Sequence, residues 1–126
     1  MPIITNNPKV QSFYPGARWI AGGPLEVLVE SRRMVHEGYS LLSHPFMGDI
    51  HLLGNPYRTV ILADQKRDVH LISLRWIEES IEKIHSVSPQ PKAVEGLEDY
   101  QTVDFELVRT VNAEIRFLEP FHRTGE

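Results

Sequence analysis

Three short turns hold the residues of this sequence that are best suited to chemistry. Each turn follows a short apolar run typical of a buried strand, and each contains a proline. Ligands bind at the carboxyl ends of strands in open α/β sheets, so we expect these turns to form one ligand-binding edge. The candidate site residues are Thr5, Asn6, Asn7, Gly22, Gly23 and His44.

These residue types could bind a polar ligand and move a proton. The Asn6 and Asn7 amides offer donors and acceptors, and Gly22 and Gly23 would let a backbone approach a phosphate closely. His44 is the candidate catalytic residue, because it alone in the set titrates near neutral pH. Each turn also has a purely structural interpretation. Asn6 and Asn7 would form an Asx turn with a helix cap, Gly22 and Gly23 a strand-to-helix bend, and His44 a polar strand end.

Several kinds of chemistry are disfavoured by what the sequence lacks. It has no cysteine, which excludes disulfides, thiol nucleophiles and thiolate metal ligands. Its six histidines show no HxH, HxxH or HExxH spacing, so we expect no metal site. The glycine pair matches neither GxGxxG nor GxxxxGK[ST], and no GxSxG is present. We therefore expect no cofactor.

Charge and hydropathy indicate an ordinary globular protein. The formal net charge of -4 gives no general attraction to nucleic acid or anionic membranes. No apolar run approaches the ~20 residues of a membrane span, and the start lacks the pattern of a signal peptide. We expect a cytoplasmic protein that binds neither nucleic acid nor membrane.

The apolar periodicity alternates between strand and helix. It predicts strands at residues 3–5, 18–20, 39–43 and 59–62. It predicts helices at residues 8–12, 25–37 and 74–86, the last capped by Ser73. Proline and glycine indicate a loop at 45–56 and a linker at 88–92. Residues 97–112 suit a helix or a strand, and we favour the helix.

This alternation is typical of an α/β fold. We expect a small single-domain sandwich around a mostly parallel sheet of about four strands, with residues 3–5, 40–43 and 59–62 as neighbours. The domain would span residues 1–119, with a C-terminal tail at 120–126. An inward stripe on the helix at 74–86 would pack on the sheet through Leu74, Ile77, Ile81 and Ile84.

Four segments, taken in order, resemble the GrdX family over about residues 2–111. They are Ile4-Thr5-Asn6-Asn7-Pro8, Gly38-Tyr39-Ser40-Leu41-Leu42-Ser43-His44-Pro45, Pro56-Tyr57-Arg58-Thr59-Val60-Ile61-Leu62 and Asp99-Tyr100-Gln101-Thr102-Val103-Asp104. The resemblance implies a small protein encoded beside the glycine, sarcosine and betaine reductases of amino-acid-fermenting anaerobes. It does not imply a subunit that carries the reduction.

Three functions follow as alternatives. The first is an accessory protein of the reductase system that binds a reductase subunit, or a small anionic or amino-acid-derived ligand, at the predicted edge. The second is a small enzyme that uses His44 as acid or base and Asn6 or Asn7 to orient the substrate. The third is a structural subunit whose exposed aromatic side chains mediate assembly, including assembly into a homo-oligomer.

Overall fold

The computed structural model describes residues 2–45, 55–86 and 97–124, with side chains for 2–45, 55–85 and 97–115. The predicted loop residues 46–54, which include His51, and the predicted linker at 88–92 lie outside this description. Most of the described residues are helical. The elements in chain order are β1 (Ile3–Thr5), α1 (Pro8–Phe13), β2 (Arg18–Trp19), α2 (Pro24–Glu37), β3 (Thr59–Ile61), α3 (Leu71–Ser86) and α4 (Leu97–Thr124).

In the described part of the chain the sheet has three strands, in the order β2-β1-β3. The β1 and β2 strands run parallel, with Ile4 opposite Arg18. The β1 and β3 strands run antiparallel, with Ile4 opposite Val60 and Thr5 opposite Thr59. The prediction of a mostly parallel sheet of about four strands is therefore wrong in both strand number and direction, although the fold is α/β.

The predicted strand at 39–43 contributes only one antiparallel bridge, between Leu41 and Leu62. Its backbone N–H at Leu41 donates to the Ser73 hydroxyl of α3 at 2.9 Å and not to another strand. Residues 3–5 and 40–43 are not neighbours, because β3 lies between them. No predicted helix separates 39–43 from β3, and a parallel pairing of these two segments would need a long crossover.

Local capping explains where α1 begins and where α2 begins and ends. The Asn7 side chain caps α1 by accepting from the N–H of Lys9, and Pro8 occupies the first turn. The α2 helix starts at Pro24 and is capped at its C-terminal end by Gly38, whose φ of +111° is left-handed. The predicted helices at 8–12 and 25–37 are confirmed.

The α3 helix begins earlier than predicted, at Leu71. His70 rather than Ser73 occupies the capping position, because the His70 carbonyl accepts from the N–H of Leu74 at 3.0 Å. Its ring nitrogen Nδ1 also accepts from the N–H of Ser73 at 3.2 Å. An imidazole can replace the usual hydroxyl or carboxylate cap when a ring nitrogen is unprotonated.

Among the residues that the structure describes, two apolar clusters lie on opposite faces of the sheet. The larger joins β1 and β3 to α2 and α3, and includes Ile4, Val60, Ile77 and Ile81. Leu74 and Ile84 pack against it, so all four residues of the predicted α3 stripe contribute to the core. The smaller cluster joins the other sheet face to α1 and α4 through Ile3, Val10, Ile61 and Val108. Alternate residues of each strand point to opposite faces, which produces the two clusters.

Residues 97–112 are helical, as favoured, and α4 continues to Thr124. Its inward face carries polar residues as well as apolar ones. Tyr100 and Val103 are 40% and 46% exposed, whereas Asp104, Val108 and Asn112 are buried. Two polar residues can occupy this face because each finds hydrogen-bond partners in the rest of the chain.

Candidate functional site

A buried polar cluster joins the end of β1, the start of β3 and the α4 helix. We call Thr5, Asn7, Thr59 and Asp104 the strand-end cluster. Thr59 donates its hydroxyl to Asp104 Oδ2 at 2.7 Å, and Asn7 Nδ2 donates to the same oxygen at 2.9 Å. The hydroxyls of Thr5 and Thr59 lie 2.8 Å apart, and the N–H of Asn7 donates to the Thr5 hydroxyl at 3.0 Å. The four side chains form one continuous hydrogen-bonded chain.

The electrostatics of this region are set by burial. Burial raises the pKa of Asp104, against the opposing effects of the hydrogen bonds from Asn7 and Thr59 and of the Arg58 charge. Burial also lowers the pKa of Arg58 to about 10, against the attraction of Asp104. Arg58 is 3% exposed and therefore places a cation inside the protein close to the end of the sheet.

Asn6 connects three backbone segments at this end of the sheet. Its Nδ2 donates to the carbonyls of Gly22 and Pro56, both at 3.0 Å. Its Oδ1 accepts from the N–H of Arg58 at 2.8 Å. The side chain is 5% exposed. A ligand that used this amide would have to displace hydrogen bonds that already hold the chain together.

Gly22 and Gly23 form the bend between β2 and α2. Gly22 has a φ of +149°, a conformation that other residues rarely adopt. The N–H of Gly23 donates to the Glu26 carboxylate at 2.9 Å, which satisfies one of the free donors at the helix start. This N–H was a candidate donor to a phosphate, but it already donates a hydrogen bond to Glu26 of the same chain.

His44 lies against α3. The centroid of its ring is 5.2 Å from that of Trp76, with the two planes tilted by 54°. Burial lowers the pKa of His44, Lys83 lowers it further, and Glu79 opposes both. The lowered pKa favours the neutral imidazole, which is the form that can accept a proton.

The structure brings together most of the predicted site residues, but mainly as partners of one another and of the backbone. Asn6 contacts Gly22, and Thr5 contacts Asn7, while His44 has its ring contact on α3. Sequence reasoning from strand ends missed Thr59 and Asp104. The available indication was that both lie in segments that carry the family resemblance.

A separate open cleft of about 410 Å³ lies between α1 and α4. It is lined by Pro8, Lys9, Ser12, Phe13 and Phe105. The Phe13 and Phe105 rings meet edge to face at 5.3 Å. Arg109 stands over the Phe105 ring, with its guanidinium carbon 5.8 Å from the centroid. The cleft is mainly apolar, and sequence reasoning did not identify it.

Two further properties apply to the residues that the structure describes. No group of three or more histidine, aspartate or glutamate side chains in that part of the chain could hold a metal ion. None of the helices in the same part is both long enough and apolar enough to cross a membrane.

The comparison with protein families gives a match that covers most of the chain. The model of the GrdX-like protein family matches residues 2–112 of the 126. This range agrees with the extent of the resemblance in the sequence, and it includes the whole strand-end cluster. Among curated proteins and solved structures, none matches this chain. The chain belongs to the GrdX-like protein family.

Proposed function

We propose that this protein is an accessory component of the glycine, sarcosine and betaine reductase system, and that it acts by binding a protein of that system. Family membership supports the association with the system. The sequence has no cysteine, so it supplies no thiol for a reduction step. Binding rather than redox chemistry is therefore the role that we assign to the chain.

The observation that carries the binding role is that the Asn6 side chain is bonded to the protein's own backbone. All three of its hydrogen bonds go to backbone groups, at Gly22, Pro56 and Arg58. A residue that binds substrate usually presents a polar group to a cavity. Here the polar groups at the end of β1 hold the fold together, which favours a function carried by the outer surface.

Binding to purified reductase subunits tests the proposal directly. The protein is immobilised, and each purified subunit of glycine reductase is passed over it while binding is recorded by biolayer interferometry. We expect saturable binding to at least one subunit. An unrelated protein of similar size and acidity serves as the control. Equal, non-saturable responses for all subunits and for the control would contradict the proposal.

A second candidate function is small-ligand binding or catalysis beside His44. The observation that favours it is the partly buried imidazole, which packs on Trp76 and whose pKa is lowered by burial. A melting screen with glycine, sarcosine, betaine, acetyl phosphate and nucleotides tests it. A ligand at 100 times its dissociation constant adds about 2.7 kcal/mol of stability. We expect a genuine shift to disappear in His44→Ala and to persist in His36→Ala, which changes an exposed histidine.

A further inference from the structure

The His70 side chain connects two parts of the fold through one ring nitrogen. Its Nδ1 accepts from the N–H of Ser73 at 3.2 Å and lies 2.7 Å from the Ser73 hydroxyl. That hydroxyl is buried and accepts from the N–H of Leu41 at 2.9 Å. We call His70, Ser73 and the Leu41 N–H the α3 joint. The joint connects the first turn of α3 to the segment at 39–45, which carries His44.

The hydrogen-bond directions in the α3 joint require a neutral imidazole with its proton on Nε2. A backbone N–H can only donate, so Nδ1 offers its lone pair to the N–H of Ser73. The Leu41 N–H also only donates, so the Ser73 oxygen accepts from it. The hydrogen of the Ser73 hydroxyl is then left for Nδ1. All these donors have acceptors only while Nδ1 carries no proton.

Protonation of His70 reverses the role of Nδ1. The new N–H faces the N–H of Ser73, donor against donor, and the buried Ser73 hydroxyl loses the acceptor for its hydrogen. The added charge also lies at the N-terminal end of the 16-residue α3 helix, where the helix dipole favours anions and opposes cations. Both effects weaken the joint.

The other charged groups around this corner do not offset that effect. The titratable and charged groups on the preceding turn, the end of α2, the first turns of α3 and the 39–45 segment are Asp64, Lys66, Arg67, Asp68, His36, Glu37, Arg75 and His44. Glu37 pairs with Arg33 and Arg75 pairs with Glu79, and the two acidic and two basic residues of the turn cancel. Within residues 2–45, 55–86 and 97–124, His70 forms no ion pair with a carboxylate.

The imidazole is open to solvent, whereas the contact that it supports is not. His70 is exposed, while Ser73 and Leu41 are buried. Protons therefore reach His70 without any opening of the joint. Histidine is the side chain whose charge ordinarily changes between about pH 5 and 8, so a change of pH in this range can act on a buried contact from the surface.

We infer that His70 is a pH-sensitive cap of α3, whose protonation releases the 39–45 segment from the helix. The stabilising contribution of the joint is present at neutral pH and is lost as the pH falls through the range in which histidine takes up a proton. The released segment carries His44, whose ring packs on Trp76 of α3. Acidification therefore loosens the surroundings of His44 as well as the helix start. The inference does not depend on the identity of a partner or ligand.

Amide hydrogen exchange of the full chain, followed by NMR at about pH 7.5 and about pH 5.5, tests the inference. Each rate is corrected for the intrinsic effect of pH on exchange, and the protection of the Leu41 N–H then reports the joint. We expect this protection to be about fivefold lower at the acidic pH, since loss of a helix cap changes an equilibrium by about that factor. The Leu42 N–H is the internal control, because it donates to the Ile61 carbonyl at 2.8 Å. Its protection should change less than twofold.

Two variants assign the change to His70. His70→Asn keeps a side-chain acceptor at the capping position but does not titrate, so the protection of Leu41 should be equal at both pH values. His36→Asn changes an exposed histidine near the end of α2 and should show the same loss as the unmodified protein. If His70→Asn does not fold, His70→Asp supplies another strong cap that keeps its charge over this range.

Three results would each overturn the inference. The first is a protection of Leu41 that does not change with pH in the unmodified protein. The second is an equal loss in His70→Asn or its aspartate replacement, which would place the responsible group elsewhere. The third is a loss at Leu42 as large as that at Leu41, which would show a general loosening of the fold rather than release of the joint.

Discussion

Replacing Asn6 by alanine tests whether the end of β1 is a structural joint or a ligand site. The Asn6 amide bonds to backbone groups of Gly22, Pro56 and Arg58 at distances of 2.8–3.0 Å. Alanine removes all three hydrogen bonds. Because Asn6 is only 5% exposed, water has little access to replace them.

The expected loss follows from the number of bonds. Each hydrogen bond of this kind contributes about 0.5–1.5 kcal/mol to the free energy of unfolding, so three bonds contribute about 1.5–4.5 kcal/mol. A loss near the middle of this range lowers the melting temperature of a domain of this size by roughly 10 °C. Asn6→Asp should be at least as destabilising at neutral pH, because its carboxylate would face the Gly22 and Pro56 carbonyls.

Urea unfolding followed by circular dichroism measures this loss, provided that the m-value does not change. The matched control is Gln11→Ala, which shortens an exposed side chain on the neighbouring helix and should alter stability by no more than about 0.5 kcal/mol. If Asn6→Ala were as mild as this control, the three hydrogen bonds would not hold the fold. The amide would then be available to a ligand, and the reasoning would be refuted.

Three further changes test the apolar core, the close approach of Gly38 to the Arg67 backbone, and the buried Asp104 carboxylate. Ile81→Ala should cost about 2–5 kcal/mol in a urea melt, whereas Leu71→Ala should cost less than about 0.5 kcal/mol; equal losses would contradict the assigned helix face. Gly38→Ala should cost at least about 2 kcal/mol by the same measurement, because φ is +111° and a Cβ would collide with the Arg67 carbonyl oxygen; a neutral result would contradict that close approach. Burial raises the pKa of Asp104, so the folded state holds its proton more tightly than the unfolded state, whose pKa is about 3.9. Stability relative to Asp104→Asn should therefore fall as the pH rises from about 4 through the folded-state pKa, and level off above it. Paired urea midpoints across this pH range measure the difference, and a difference that grew with pH would show that hydrogen bonds outweigh burial.

Features that depend on a few adjacent residues were predictable from the sequence. The cap at Asn7, the start of α2 at Pro24 and its end at Gly38 each follow from side-chain and φ preferences that act within one helical turn. The contribution of Ile77 and Ile81 to the core follows from helical periodicity. These predictions hold because the interactions concerned are local.

The direction of β3 could not be predicted in this way. Its residues have the same strand propensity whether they pair parallel or antiparallel with β1. The direction depends on contacts between residues far apart in the chain, such as Ile4 opposite Val60, and such contacts are not visible in the residue pattern.

The same distinction between local and long-range interactions applies to the candidate site. The sequence by itself determined that Asn6 and Asn7 follow a buried strand and that Asn7 caps a helix, because both properties arise within a few residues. Only the tertiary structure decided that Thr59 and Asp104 reach this end of the sheet, since the Asn7–Asp104 hydrogen bond spans 97 positions of the chain. The buried face of α4 carries Asp104 beside the apolar Val108 and leaves Tyr100 and Val103 exposed. Asp104 is tolerated there because Asn7 and Thr59 donate to its carboxylate.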